Sequence, residues 1–210
     1  MKRIEISKRE KISIAIWLTL FFSVLLWSGI NPADRFIWIL EVFPAIIGLI
    51  ILIISYNKFK FTPLIYWLIL IHCIVLMIGG HYTYAGVPFF DSIGIFFEWE
   101  RNNYDKIGHF MQGFVPALIA RELLIRLKII NKKKWISPIV LSICLSIAAI
   151  YEFIEWFVAL LVGESAEEFL GTQGYVWDTQ SDMFLCLIGA FIALITLFRI
   201  HDKQIEKMNK

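Results

Sequence analysis

Residues 104–118 read YDKIGHFMQGFVPAL and open a segment long enough to cross a bilayer. At about 100° per residue, Asp105, His109, Gln112 and Pro116 fall on one stripe of a helix, at i, i+4, i+7 and i+11. A charged group in hydrocarbon is costly unless it is paired, neutralised or bound to a metal, so such a stripe faces other helices or a wet cavity. This helix must therefore sit inside a bundle. Pro116 carries the stripe inward and frees a backbone carbonyl near it.

The rest of the chain supplies the partners. Of its 210 residues 59% are hydrophobic, and the mean hydropathy is +0.70. Soluble domains hold roughly half apolar residues. Six stretches approach the about 20 residues needed to span the hydrocarbon core: 12–30, 36–55, 64–79, 106–127, 136–161 and 182–200. They predict an all-α polytopic membrane protein, a bundle of six transmembrane helices forming one domain over residues 1–210. The third stretch is short and is expected to borrow a turn from 61–63 or 81–84. The first follows a basic stretch but is longer than a signal-peptide core of about 7–15 residues and has no small-residue cleavage site after it, so it reads as a retained helix.

Sixteen of the 20 Lys and Arg residues lie at chain ends or links that this topology puts on one side. The positive-inside rule makes that side, with both termini, cytoplasmic. The net charge of +2 is spread along this face as a topology signal, which argues against a nucleic-acid partner. Cys73, Cys144 and Cys186 lie in apolar spans without paired spacing, so they read as buried small side chains and not as a disulfide or C-x-x-C site.

Acids and histidines gather toward the opposite side. Glu152 stands 16 residues into the fifth span, ~24 Å from its cytoplasmic end, with Glu155 on the same face. The stretch 171–183, GTQGYVWDTQSDM, sets Asp178 and Asp182 at i and i+4, with Gln173 and Gln180 beside them. GGHYTYAGVP at 79–88 delivers His81 and Tyr82 to the same level, and Glu41 lies in the outer half of span two. Of the acidic residues inside spans, only Glu122 lies toward the cytoplasm, with Arg126 at i+4 for pairing. His72, alone in span three, reads as a hydrogen-bonded interior histidine. The aromatic run 93–99, IGIFFEW, is too short to span and suits an interfacial helix.

Mixed imidazole and carboxylate donors suit a divalent metal such as Zn, Mn, Fe or Mg. The expected ligands are His81, His109, Asp178 and Asp182. Glu152 or Glu155 would act as general base, and Asp105 would orient a histidine from outside the coordination shell. Glu41, Tyr82, Gln112, Gln173 and Gln180 complete the pocket. The reading that follows is a metal-dependent hydrolase or transferase for a lipid or cell-envelope substrate. The same residues would also suit a cation- or proton-coupled transporter or sensor, a non-catalytic assembly factor, or a hydrogen-bonded network that only locks helices together.

Four segments, 79–88, 99–122, 151–160 and 171–183, together resemble the YjdF family of bacterial inner-membrane proteins. The likeness rests on the combination GGHYTY, DKIGHF, YEFIEW and GTQGYVWD. It implies a multi-pass protein of the bacterial cytoplasmic membrane and supplies no activity. The shorter Asp105-Lys106-x-x-His109-Phe110 is similar to the opening of VanZ-type membrane proteins linked to glycopeptide resistance, which points toward envelope chemistry.

Overall fold

The structure, a computed structural model, describes residues 7–162 and 175–208. The elements are α1 (Lys8–Ser28), α2 (Arg35–Ser55), α3 (Pro63–Tyr82), α4 (Pro88–Phe96), α5 (Tyr104–Arg126), a 3-10 turn (Lys133–Trp135), α6 (Ile136–Val162), α7 (Asp178–Thr196) and α8 (Phe198–Met208). Several starts are set locally. Ser7 accepts from the Glu10 amide at 3.3 Å and Asp34 from the Ile37 amide at 2.8 Å, each satisfying a donor that the first turn leaves open. Pro63 and Pro88 occupy first-turn positions, where the missing N–H costs nothing.

Among the described residues five helices are long and apolar enough to cross a membrane: α1, α2, α3, α6 with its preceding turn, and α7. The sixth expected segment is the helix α5, but its composition is not that of a lipid-facing span. Its position explains why. α5 packs most extensively against α7 and also against α6 and α3, so Asp105, Gln112 and Glu122 are buried in protein. α1 and α2 reach the bundle through α3.

The α5–α7 crossing depends on two glycines. A Cβ at Gly113 would overlap the Cys186 carbonyl, and one at Gly189 would overlap the Phe110 carbonyl. Each helix thus presents its glycine to the other's backbone, and side-chain movement cannot relieve the overlap. Cys144 closes the contact from α6, its thiol donating to the Gly113 carbonyl at 3.7 Å. All three cysteines are buried and free.

Two segments outside the spans depart from the sequence reading. The helix expected over 93–99 instead covers Pro88–Phe96, because Pro88 starts it and Glu98, at φ 55°, follows its end. It exposes Phe89, Ile95 and Phe96, as an element at the membrane surface would. The last expected span, 182–200, is α7 over Asp178–Thr196, and the chain beyond it forms the amphipathic α8. That helix buries His201 and Ile205, four residues apart on one face.

α8 is fastened by a buried network at the end of the bundle opposite Asp105. The Glu122 carboxylate accepts from Thr62 Oγ1 at 2.8 Å, Arg126 Nη1 at 2.5 Å and His201 Nε2 at 2.9 Å. Arg121 Nη1 donates to the other ring nitrogen of His201 at 3.2 Å and Nη2 pairs with Asp202 at 2.6 Å. Those bonds fix the imidazole with its proton on Nε2. Glu122→Ala is expected to cost about 3–5 kcal/mol, since it removes the carboxylate paired with Arg126 and leaves a fully buried histidine without its acceptor. Trypsin cleavage at Arg199 and Lys203 in detergent-solubilised protein should accelerate if α8 is released, and an unchanged digest would contradict this.

Candidate functional site

The N-terminal ends of α5 and α7 meet in a charge cluster. On α7, Asp178, Ser181 and Asp182 share a face at i, i+3 and i+4. Lys106 of α5 points into them, its Nζ 3.0 Å from Asp178, 2.9 Å from Ser181 Oγ and 2.7 Å from Asp182. Asp105 lies 3.4 Å from the same ammonium and also pairs with Arg101, whose Nη1 is 2.9 Å from Asp178. The Tyr175 ring lies 5.3 Å from the Arg101 guanidinium and 5.5 Å from the Lys106 ammonium. Three buried aspartates thus share two cations, and a charge-assisted network replaces the hydration they lose.

One turn further along α5 stands His109. Its Nε2 is 3.7 Å from Asp182 Oδ2 and its Nδ1 is 3.9 Å from Glu152 Oε1. Nδ1 also lies 3.3 Å from Gln112 Oε1. That contact favours the proton on Nδ1 and leaves the Nε2 lone pair facing Asp182. Asp182 therefore divides its oxygens, Oδ1 to Lys106 and Oδ2 toward the imidazole. Glu152 Oε1 is buried and has no hydrogen-bond partner among the described residues. One donor atom from each of His109, Glu152 and Asp182 lies within 4.8 Å of the others, and so do donors from Asp105, Asp178 and Asp182.

Beside His109 is a cavity of about 200 Å³, walled on its polar side by Glu41, His72, Tyr84, Gln112, Tyr151 and Glu155. Tyr151 donates to Glu41 Oε2 at 3.4 Å, and the Tyr84 hydroxyl bonds the same carboxylate. The Tyr84 ring fits because Gly79 lacks a side chain: a Cβ there would collide with the ring, and one at Gly108 would press on its edge. Thr83 and Tyr84, at φ 58° and 56°, turn the chain back to place it. Burial, and then the Glu41 carboxylate, keep the Tyr84 hydroxyl protonated well above the usual phenol range. Pro44 of α2 and Pro116 of α5 also line the cavity, each removing an amide from its helix ladder.

Of the residues expected at the site, His109, Gln112, Glu152, Asp105, Asp178 and Asp182 come together, with Glu41 and Glu155 across the cavity. His81 does not join them. Its Nδ1 bonds the Ser28 carbonyl at 2.9 Å, and its ring packs on Trp27 and Tyr82, so it fastens α3 to α1. Tyr82 belongs to that same packing, and Gln180 is exposed. Gln173 lies outside the described residues. Asp105 orients no histidine; it is engaged by Arg101 and Lys106. His72 makes no hydrogen bond among the described residues and faces the cavity instead. Sequence reasoning missed the two cations, Arg101 and Lys106, as partners of these aspartates. A basic residue next to Asp105 in a polar stripe was the available signal.

The geometry defines a helical membrane protein with a buried acid–histidine pocket at one end of its bundle. Residues 13–203 match the family described as "Predicted membrane protein (DUF2238)", and the chain belongs to that family. It is 46% identical over 193 residues to "Inner membrane protein YjdF" of Escherichia coli (strain K12), covering 92% of this chain and 91% of that protein. The chain is thus a multi-pass protein of the bacterial inner membrane. No solved structure gives a significant match.

Proposed function

We propose that six helices span the cytoplasmic membrane, α5 among them, that both termini are cytoplasmic, and that the pocket opens outward as a metal-dependent hydrolase or transferase centre for a lipid or envelope-precursor substrate. The observation that carries this reading is Glu152 Oε1, a buried carboxylate oxygen without a hydrogen-bond partner among the described residues, facing His109 beside Asp182. Thr179 bonds the Glu152 carboxylate, but an oxygen left unsatisfied in a buried site is costly, and a bound cation removes the cost. His109 through Nε2, Asp182 through Oδ2 and Glu152 are the donors that would hold a divalent ion such as Zn, Mn or Mg. Bound there, such an ion supplies Lewis-acid activation of water or of an acyl or phosphoryl group.

The chain's own groups divide the remaining work. Lys106 and Arg101 hold the second oxygens of the aspartates, fixing their orientation as outer-shell partners of a metal site do. Glu155 borders the cavity on the α6 side and forms no ion pair among the described residues, which leaves it able to accept a proton from a substrate or water. Tyr84 and Tyr151 hold Glu41 in place opposite.

Elemental analysis of protein purified in nanodiscs, followed by titration with Zn²⁺ and Mn²⁺, tests the reading. One equivalent of metal is expected, with binding at least ten-fold weaker in His109→Ala and Asp182→Asn. Protein that neither retains nor titrates either ion would sink it. A second reading, proton or cation transport, is favoured by His72, which lines the same cavity nine residues deeper in α3 than His81. Flux across proteoliposomes that is lost in His72→Ala would select transport. Full function in Glu152→Gln and Glu155→Gln would instead indicate an assembly factor.

A further inference from the structure

The far end of the bundle holds a larger cavity that the outward pocket does not use. It measures about 670 Å³ and lies between α1 and α2, with α3 as its floor. The space is within the range of ligand sites, about 300–1,000 Å³. α1 and α2 are tied together at the opposite end, where Trp38 Nε1 donates to Ser28 Oγ at 3.1 Å and Gly29 lies against the Trp38 ring. The space lies toward the other ends of the two helices, between residues 7–18 and 49–57, at the basic end of the protein.

Its walls change character along their length. Trp17, Leu18, Leu49, Leu52 and Ile53 line the deep part, and Arg9, Asn57 and Lys60 line the mouth. Among the described residues the one acid at the mouth, Glu10, is already engaged: it pairs with Lys60 and accepts from Tyr56 at 2.8 Å. That leaves the mouth with a net positive charge. Inside, the Tyr66 side chain lies on the floor of the same cleft. An apolar slot at membrane depth with a cationic, hydrogen-bonding rim matches an amphiphile: a chain in the slot and an anionic head at the rim.

We infer that this cleft binds one anionic phospholipid of the surrounding leaflet, its acyl chain between α1 and α2 and its phosphate at Arg9 and Lys60. The site is separate from the outward pocket, and it does not depend on whether that pocket holds a metal. Phosphate binding at Lys60 needs no loss of the Glu10 pair, because an ammonium has three donors. Nor does the site require the helices to move: the space already exists.

Native mass spectrometry of the full chain, released from nanodiscs of phosphatidylglycerol mixed with phosphatidylcholine, tests the inference. One retained phosphatidylglycerol per chain is expected, preferred at least ten-fold over phosphatidylcholine. Arg9→Gln with Lys60→Gln should abolish the preference. Ser13→Trp is a second, independent variant: Ser13 is exposed on α1 at the cleft, so the indole fills the slot without disturbing core packing. It should remove both lipids. Equal retention of the two lipids by the unaltered chain would overturn the proposal, as would undiminished phosphatidylglycerol retention in both variants.

Discussion

Gly113→Ala is expected to destabilise the bundle by about 3 kcal/mol or more, at or beyond the upper end of ordinary overpacking. The added Cβ meets the Cys186 carbonyl, a backbone group, so relief requires α5 and α7 to separate along their crossing. Separation would also pull Lys106 from Asp182 and His109 from Asp182, so site and fold should fail together. Gly48→Ala in α2 is the matched control, because nothing lies within 4 Å of its would-be Cβ. Thermal melts of the two variants in the same detergent check the claim. A Gly113→Ala melt equal to that of Gly48→Ala would show that the helices cross less closely than described.

The second large effect is expected from Lys106→Met. It removes the cation shared by Asp105, Asp178 and Asp182, leaving Arg101 to serve buried carboxylates on two helices. Breaking a buried ion pair costs about 3–5 kcal/mol. The lower end applies here, because the lysine side chain keeps 18% of its surface in contact with solvent. Adding Asp182→Asn should restore part of the loss, since the amide no longer carries the uncompensated charge. Denaturant melts of the single and double variants give the coupling. Strict additivity would mean that the ammonium and the Asp182 carboxylate do not interact.

Much of this arrangement is written in helical periodicity. The α5 stripe of Asp105, His109 and Gln112 was readable because 3.6-residue spacing fixes which side chains share a face, whatever the neighbours are. The pairing of Asp178 with Asp182 followed in the same way. What spacing cannot tell is which neighbour a face meets. His72 and His81 are nine residues apart in one helix, which at about 100° each puts them on opposite sides of α3. One therefore borders the cavity while the other packs against α1. Both stand on apolar helix surfaces in the sequence, so only the packing around α3 tells them apart.

The cations posed a different difficulty. Lys106 meets Asp182 across 76 positions of sequence, and Arg101 meets Asp178 from a loop, so neither pairing has a local signature. α8 could have been found: His201 and Ile205 sit one helical turn apart in an otherwise polar stretch. Its role in closing over Glu122 could not, because that requires α5, α3 and the chain end in one place.

The shared lysine also constrains how the protein is made. A ribosome delivers α5 well before α7, so for that interval the ammonium of Lys106 lacks the Asp178 and Asp182 partners that will later surround it. A helix in that state is a poor substrate for lateral release into lipid. If α5 spans the membrane as proposed, its insertion is coupled to the arrival of α7, and a chain cut short ahead of Asp178 would leave that helix without a stable place in the bilayer.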